Sequence, residues 1–177
     1  PEKPNLIHSE ILTKNRKEII NNFSLIDDYK FWSKINKYPD DLLKFENYKI
    51  FKTYLREQII LGVKRKFKNS FLIYGEDNKK IGIDFFKPIY NEKKIKEIYQ
   101  GNICIDTGSI FGSLSLHPRS IQIIESGGLL IQAKQNDSDS IWGELSKKVV
   151  FNDLNSLLQI LEKYCLDTKM CNQTLNM

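Results

Sequence analysis

The residues best placed for chemistry lie between Ser115 and Gln132, where a histidine, an arginine and a glutamate surround one predicted helix. Pro118 suits the first turn of this helix, because the backbone N–H that proline lacks would have no partner there. Gly127 and Gly128 predict its end, since glycine adopts the left-handed conformation at little cost. The apolar run that follows predicts a strand covered on both faces, as in a parallel sheet.

Two cationic or polar side chains, His117 and Arg119, lie at the start of this helix, where free backbone N–H groups and the helix dipole favour an anion. Glu125 lies about 9 Å further along the axis at the helical rise. This layout suits a nucleoside diphosphate, with the phosphates at the helix start and the ribose hydroxyls on the carboxylate. Periodicity alone favours the alternative, an ordinary amphipathic helix with a surface ion pair. In both cases we expect one apolar side, formed by Ile121, Ile123, Ile124 and Gly127.

The composition limits the classes of protein to which the chain can belong. The 177 residues are 41% hydrophobic and 28% charged, which predicts one domain with a core and an added helical segment. No apolar run approaches the roughly 18 residues of a membrane span, and we see no signal peptide. Three cysteines without a Cys-x-x-Cys pair favour the reducing cytoplasm over a disulfide framework or a zinc site. Because the first residue is Pro1, we expect a processed or cut end.

The net charge of +5 is compatible with several partners. Nucleic acid, an anionic small ligand and an anionic membrane surface all suit a basic chain, and the last allows peripheral membrane association. The lysines are scattered along predicted helices and interleaved with acidic residues, so we expect no nucleic-acid partner. The densest basic run, at residues 64–68, is typical of a solvated helix end.

From residue 49 onward, predicted helices alternate with short apolar strands. This order predicts an α/β fold, a Rossmann-like open parallel sheet flanked by helices, with an N-terminal helical extension. The helices are predicted at 11–23, 29–38, 49–68, 92–99, 118–126 and, capped by Asp153, up to 166. The strands are predicted at 70–74, 102–106, 129–131 and 148–151.

Two polar loops are predicted to follow strands, at residues 107–116 and 133–143. Ligands of open parallel sheets bind outside the carboxyl ends of the strands, so the first loop is a candidate ligand loop. It lacks the spacings of the P-loop and of the dinucleotide-binding motif, and a plain glycine-serine connection explains it equally. Asp137 and Asp139 in the second loop have the spacing of a metal-binding pair, but we expect no metal there.

Five short segments also carry a resemblance to a known family. They are Tyr-Leu-Arg-Glu at 54–57, Phe-Leu-Ile-Tyr-Gly at 71–75, Ile-Tyr-Gln-Gly-Asn-Ile-Cys-Ile-Asp at 98–106, His-Pro-Arg-Ser-Ile-Gln-Ile-Ile-Glu-Ser-Gly-Gly at 117–128 and Val-Val-Phe-Asn-Asp-Leu at 149–154. In this order the segments resemble the C-terminal, donor-binding domain of two-domain (GT-B) glycosyltransferases. They are most similar to the spore-coat-type, family-1-like group, over about residues 49–166.

The resemblance implies that the domain binds a nucleoside diphosphate sugar as substrate, without a further cofactor or a metal. Arg119 would contact the diphosphate and Glu125 the ribose hydroxyls. Ser109 would approach the phosphates through backbone N–H groups, and Gly75 would let the chain approach the base or ribose. His117 would contact a phosphate or the sugar, with helix capping or packing as its alternative role.

The resemblance also implies a domain organisation. Residues 49–166 would form the nucleotide-sugar-binding domain and 167–177 a tail. Residues 1–48 are too short for the acceptor domain, so we expect a helical extension or a remnant of a preceding domain. That missing domain commonly carries the catalytic base, and we therefore name none. The alternatives are a non-catalytic α/β binding or interaction module and, less favoured, a basic nucleic-acid-associated domain.

Overall fold

A computed structural model describes residues 41–75, 82–108 and 115–166 of the chain, together with the isolated Glu18. The helices predicted at 11–23 and 29–38, the candidate site residue Ser109 and the tail at 167–177 lie outside the described residues. Predictions about those parts stay predictions.

The described residues form an α/β fold around an open parallel sheet, as predicted. The strands are β1 (Ile103–Asp106), β2 (Leu129–Ala133) and β3 (Val150–Phe151), in the order β1-β2-β3. Ile103 pairs with Leu129 and Gln132 with Val150, in parallel register. Because helices flank the sheet and connect parallel neighbours, the architecture is Rossmann-like.

Six α-helices surround this sheet in the described part of the chain. They are α1 (Asp41–Phe67), α2 (Glu92–Tyr99), α3 (Pro118–Glu125), α4 (Ser138–Trp142), α5 (Ser146–Val149) and α6 (Leu154–Leu166), with 3₁₀ turns at Lys68–Ser70 and Gly143–Leu145. The first helix continues across the predicted boundary at residue 48. Asp153 caps α6 as predicted, because its Oδ1 accepts the Ser156 N–H at 2.7 Å.

The two faces of the sheet are covered by different helices. On one face, alternate residues of β2 pack with Phe151 against α1 and α6. On the other, the α3 side chain Ile123 is buried, and α3 packs against β2. The main cluster consists of Leu55, Ile59, Val63, Leu129, Ile131, Ala133, Val149, Phe151, Leu157, Leu161 and Tyr164. Every β2 residue is buried, so the predicted doubly covered strand is confirmed.

Three predicted elements need correction. The segment at 70–74 is not a buried strand: it makes one parallel bridge, between Tyr74 and Phe86, and exposes Leu72 and Tyr74. The last strand starts at Val150 rather than Lys148, because Ser146–Val149 forms a helical turn. The polar stretch 133–143 contains helix α4, which its serines and aspartates did not reveal.

The predicted apolar side of α3 is also wrong in part. Ile123 is buried, whereas Ile121 and Ile124 are exposed, and Ser120 takes a buried position. At 3.6 residues per turn Ile121 points roughly 160° away from Ile123, so the two cannot share one face. The buried side of α3 is therefore narrower and more polar than expected.

Candidate functional site

The polar side chains of the described region gather at the carboxyl edge of β1 and β2. Strand β1 ends at the buried Asp106, and α3 begins at Pro118 beside it. The His117 Nε2–H donates to Asp106 Oδ2 across 2.7 Å, which ties the helix start to the strand end. The carboxylate also accepts the Gln132 side-chain amide at 3.1 Å and the Gly108 backbone N–H at 2.9 Å. Both oxygens of Asp106 thus accept hydrogen bonds from the protein, one at Oδ1 and two at Oδ2.

His117 is the N-cap residue of α3. Its backbone N–H donates to Ser120 Oγ at 2.9 Å, in a capping-box arrangement. The Ser120 hydroxyl in turn donates to Ser115 O. Of the two roles weighed for His117, capping and packing are the ones that its contacts display. Contact with a phosphate or a sugar stays a prediction for this residue.

Arg119 follows at the second helical position and is exposed. Within the described residues, its guanidinium has no hydrogen bond and no salt bridge. The cation therefore lies at the positive end of α3 without a compensating contact from the residues that the structure describes. A helix N-terminus with an unpaired arginine is a favourable environment for an anion.

A second arginine, Arg56, reaches the same edge from α1. Its Nε–H donates to the Thr107 hydroxyl at 3.3 Å, one residue beyond β1. Burial lowers the pKa of Arg56, repulsion by the nearby Arg119 lowers it further, and attraction by Asp106 opposes both. Two guanidinium groups are therefore close enough to repel, and the carboxylate that attracts Arg56 is already engaged by other protein groups. An anionic ligand would relieve that repulsion.

Sequence reasoning missed Arg56 as a site residue. It belongs to the Tyr-Leu-Arg-Glu segment at 54–57, which carried part of the resemblance but received no role. The apolar spacing of Leu55, Ile59 and Val63 contained a usable signal, because Arg56 adjoins the face that packs on the sheet. Only the contact with Thr107 shows which edge of the sheet it reaches.

A network of buried polar side chains lies next to this edge of the sheet and reaches Asp106 through Gln132. Gln132 donates to Ser115 O and accepts from the Trp142 indole at 3.2 Å. The hydroxyls of Ser115 and Ser138 bond to each other at 2.9 Å. Six buried polar side chains lie together here: Asp106, Ser115, Ser120, Gln132, Gln135 and Ser138. A buried hydrogen-bond network of this kind holds the loop ends in one arrangement.

One atom of the network lacks a partner. Gln135 is buried and donates to Ala133 O at 3.1 Å, but its Oε1 accepts nothing from the described residues. The amide lies against Gly108, where an added Cβ would stand 2.6 Å from Nε2. An unmade bond of this kind costs about 1–3 kcal/mol. Gln135 Oε1 is therefore able to accept a hydrogen bond from a donor outside the network.

The field of Arg119 also acts on Tyr99, at the end of α2. Burial raises the pKa of the Tyr99 hydroxyl, Arg119 opposes that rise, and Cys104 and Asp106 add to it. The phenol therefore stays protonated at neutral pH and can donate a hydrogen bond.

The structure does not bring Glu125 to this edge. It is exposed and lies at the opposite end of α3, where the Gly101 N–H donates to Gly127 O at 3.0 Å, before β1 begins. Because α3 returns antiparallel to the strands, Glu125 lies near their amino ends. The proposed bond to ribose would need a ligand that extends along α3, and it stays a prediction.

Gly75 lies away from the contacts described above. Its N–H donates to Phe86 O at 3.0 Å, in the bridge between two extended segments. Its φ of +154° suits glycine, but the described contacts connect it to Phe85 and Phe86 rather than to Asp106 or Arg119. Its approach to a base or ribose stays a prediction. Among the predicted site residues that the structure describes, His117 and Arg119 are therefore together.

The two aspartates considered for a metal have protein partners. Asp137 Oδ1 accepts the Ser115 N–H at 2.7 Å, and Asp139 pairs with Lys134 at 2.9 Å. Over residues 41–75, 82–108 and 115–166, no group of three or more histidine, cysteine, aspartate or glutamate side chains is arranged to hold a metal ion. In the same ranges no helix combines the length and apolar character needed to cross a bilayer.

Comparison with known proteins identified no relative of this chain. Neither the protein-family models, nor the curated proteins, nor the solved structures contain a match to the chain.

Proposed function

We propose that this chain binds the diphosphate of a nucleoside diphosphate sugar and forms the donor-binding part of a glycosyltransferase. The observation that carries the proposal is that Arg119 lies at the N-terminus of α3 and that Arg56, bonded to Thr107, is near enough for the two charges to repel. Thr107 follows the carboxyl end of β1 directly, and this end of the strands is the usual place for a ligand in an open parallel sheet. Residues 49–166 resemble GT-B donor domains, which bind nucleoside diphosphate sugars. The resemblance is therefore the reason to propose that the bound diphosphate carries a sugar.

The proposed chemistry follows from these charges. When the bond between the sugar and the diphosphate breaks, negative charge grows on the leaving diphosphate. Two guanidinium groups and the N–H groups of α3 stabilise that charge more strongly than they stabilise the ground state. Arg56 is held by Thr107, so it needs little reorganisation as the charge develops. The nucleotide sugar is a substrate here, and a cytoplasmic location belongs to the same proposal.

A specific observation favours a second candidate, a non-catalytic binding module. Asp106 and His117 have the residue types of a general base, but they bond to each other and to the frame of the site. A base would therefore have to come from residues that the structure does not describe or from an acceptor domain outside this chain. Without one, the same arginine pair would bind a nucleotide and do no chemistry.

Titration calorimetry of the full chain with UDP, GDP and UDP-glucose tests the proposal. We expect Arg56→Gln and Arg119→Gln each to weaken nucleotide binding by about 10- to 100-fold, the value of a charge-assisted hydrogen bond. Arg65→Gln is the matched control, because Arg65 is exposed at the far end of α1. Glu125→Gln tests the ribose contact separately.

The outcomes separate the two candidates. Binding without hydrolysis or transfer of sugar, even with acceptor extracts, would favour the binding module. Equal loss in Arg65→Gln and Arg119→Gln would indicate general charge attraction and contradict the site. Absence of binding by every nucleotide would overturn the proposed function.

A further inference from the structure

Three large apolar side chains are exposed on one part of the surface and have no role in the site above. Leu72 and Phe86 are each 53% exposed, and Tyr74 is 39% exposed. The rings of Tyr74 and Phe86 are in contact, tilted by 31° with centroids 5.3 Å apart. We call these three residues the aromatic patch. Large exposed apolar patches mark surfaces that meet a partner or a membrane.

The backbone explains why these side chains share one surface. Leu72 and Tyr74 are two residues apart in an extended segment, so they point to the same side. Phe86 is joined to that segment by two backbone bonds, from its N–H to Ile73 O at 2.8 Å and from the Gly75 N–H to its own carbonyl at 3.0 Å. On the other side, Phe71 packs against the main core. The contact of Phe71 with the core therefore fixes the segment that carries the exposed apolar side chains.

Basic residues flank the segments of the aromatic patch along the chain: Arg65 and Lys68 precede Leu72, and Lys87 follows Phe86 directly. We call these three residues the basic border; all are exposed, and within the described residues none has a carboxylate at salt-bridge distance. Lys64 Nζ lies closer in and donates to Phe71 O at 3.3 Å. The acidic residue of these described segments is Asp84, so they carry a positive excess. Lys68 adopts a φ of +50°, a conformation that non-glycine residues rarely take.

We propose that the aromatic patch and its basic border dock on the surface of an anionic phospholipid bilayer. Apolar side chains would enter the boundary between headgroups and acyl chains, with the Tyr74 hydroxyl among the headgroups. Arg65, Lys68 and Lys87 have stems long enough to reach lipid phosphates from the border. The lysines decide against a protein partner, because lysine is depleted in protein interfaces, whereas anionic lipid attracts it. This proposal is independent of nucleotide binding.

Vesicle co-sedimentation of the full chain tests the proposal. The probes are vesicles of phosphatidylcholine alone and of an equal mixture of phosphatidylcholine and phosphatidylglycerol. We expect binding to the mixed vesicles to exceed binding to the neutral ones by about tenfold or more at low salt, and added salt to weaken it. Two double variants divide the surface: Leu72→Ser with Phe86→Ser removes apolar contact, and Lys68→Glu with Lys87→Glu reverses charge.

Each double variant has a matched control elsewhere on the surface. Leu166→Ser changes an apolar side chain that is 82% exposed at the end of α6, and Lys148→Glu reverses an exposed charge on α5. We expect the patch variants to lose about tenfold in vesicle binding and the controls to change less than twofold. Circular dichroism checks that every variant keeps its fold.

Three outcomes would overturn the proposal. The first is no binding to mixed vesicles by the folded wild-type chain. The second is equal loss in the patch variants and their controls. The third is self-association of the wild-type chain that Leu72→Ser with Phe86→Ser abolishes without any effect on vesicles, since the patch would then meet a second copy.

Discussion

His117 Nε2 lies 2.7 Å from Asp106 Oδ2, and this contact joins the first turn of α3 to the last residue of β1. The carboxylate is 3% exposed and the imidazole 17% exposed, so the pair has little competition from water. It fixes where the helix starts relative to the strand end. Since Arg119 follows two residues after His117, the contact also sets the position of the unpaired cation.

Asp106→Asn should therefore destabilise the fold. An amide cannot accept from Gln132, His117 and Gly108 as the carboxylate does, and one donor would be left buried without a partner. We expect a loss of about 1–3 kcal/mol in the free energy of unfolding, measured by urea denaturation. Asp139→Asn is the control, because its pair with Lys134 is exposed and worth at most about 1 kcal/mol. Equal losses in the two variants would contradict the buried role.

The sequence predicted the long helices α1 and α6 and the central strand, because their patterns are long or strongly apolar. Leu55, Ile59 and Val63 recur at helical spacing, and all three are buried. The run at 129–131 has no polar break, and it is covered on both faces. Such elements depend mainly on local pattern and total burial, which a single sequence contains.

The features of the fold and the site that the sequence did not predict depend on contacts between segments far apart in the chain. A serine and a glutamine read as solvent-facing, yet Ser115 and Gln132 are completely buried because they bond to each other. The segment 71–74 has strand composition, but no strand neighbour covers its outer face among the described residues. Arg56 could be assigned to a helix, but not to the carboxyl edge of β1. Pairing partners of this kind are not encoded in local periodicity.

Gly128 should tolerate a side chain far less well than its neighbour Gly127. A Cβ on Gly128 would stand 2.7 Å from the backbone oxygen of Tyr99 and 3.1 Å from Ile123, and neither α2 nor α3 can move without disturbing the sheet. Gly127 has a φ of +73° and open space around its Cα. We expect about 1 kcal/mol of strain for Gly127→Ala and a clearly larger loss for Gly128→Ala.

Thermal and urea unfolding of the two alanine variants measure this difference on the same background. Gly101→Ala is a third variant with positive φ and open surroundings, so it should behave like Gly127→Ala. Equal losses at positions 127 and 128 would mean that the α2 carbonyl is not where the structure has it.

Arg119→Gln should leave the ligand-free protein as stable as the wild type or slightly more stable. The side chain is exposed, makes no hydrogen bond within the described region, and repels Arg56. Removing the charge relieves that repulsion, and the gain should shrink as salt screens it. Melting temperatures at low and high salt measure the effect, with Arg65→Gln as the matched control. A clear loss of stability would show that Arg119 has a structural partner instead.

Cys104 should be almost inert to alkylation in the folded protein. Burial raises the pKa of its thiol to about 12, so the reactive thiolate is scarce at pH 8. Relative to an ordinary cysteine with a pKa near 8.5, we expect iodoacetamide to react about a thousandfold more slowly. Cys165 is exposed, so it serves as the internal comparison. Peptide mass spectrometry after timed alkylation follows both thiols, and urea should restore reactivity to Cys104. Fast labelling of folded Cys104 would contradict the raised pKa of this thiol.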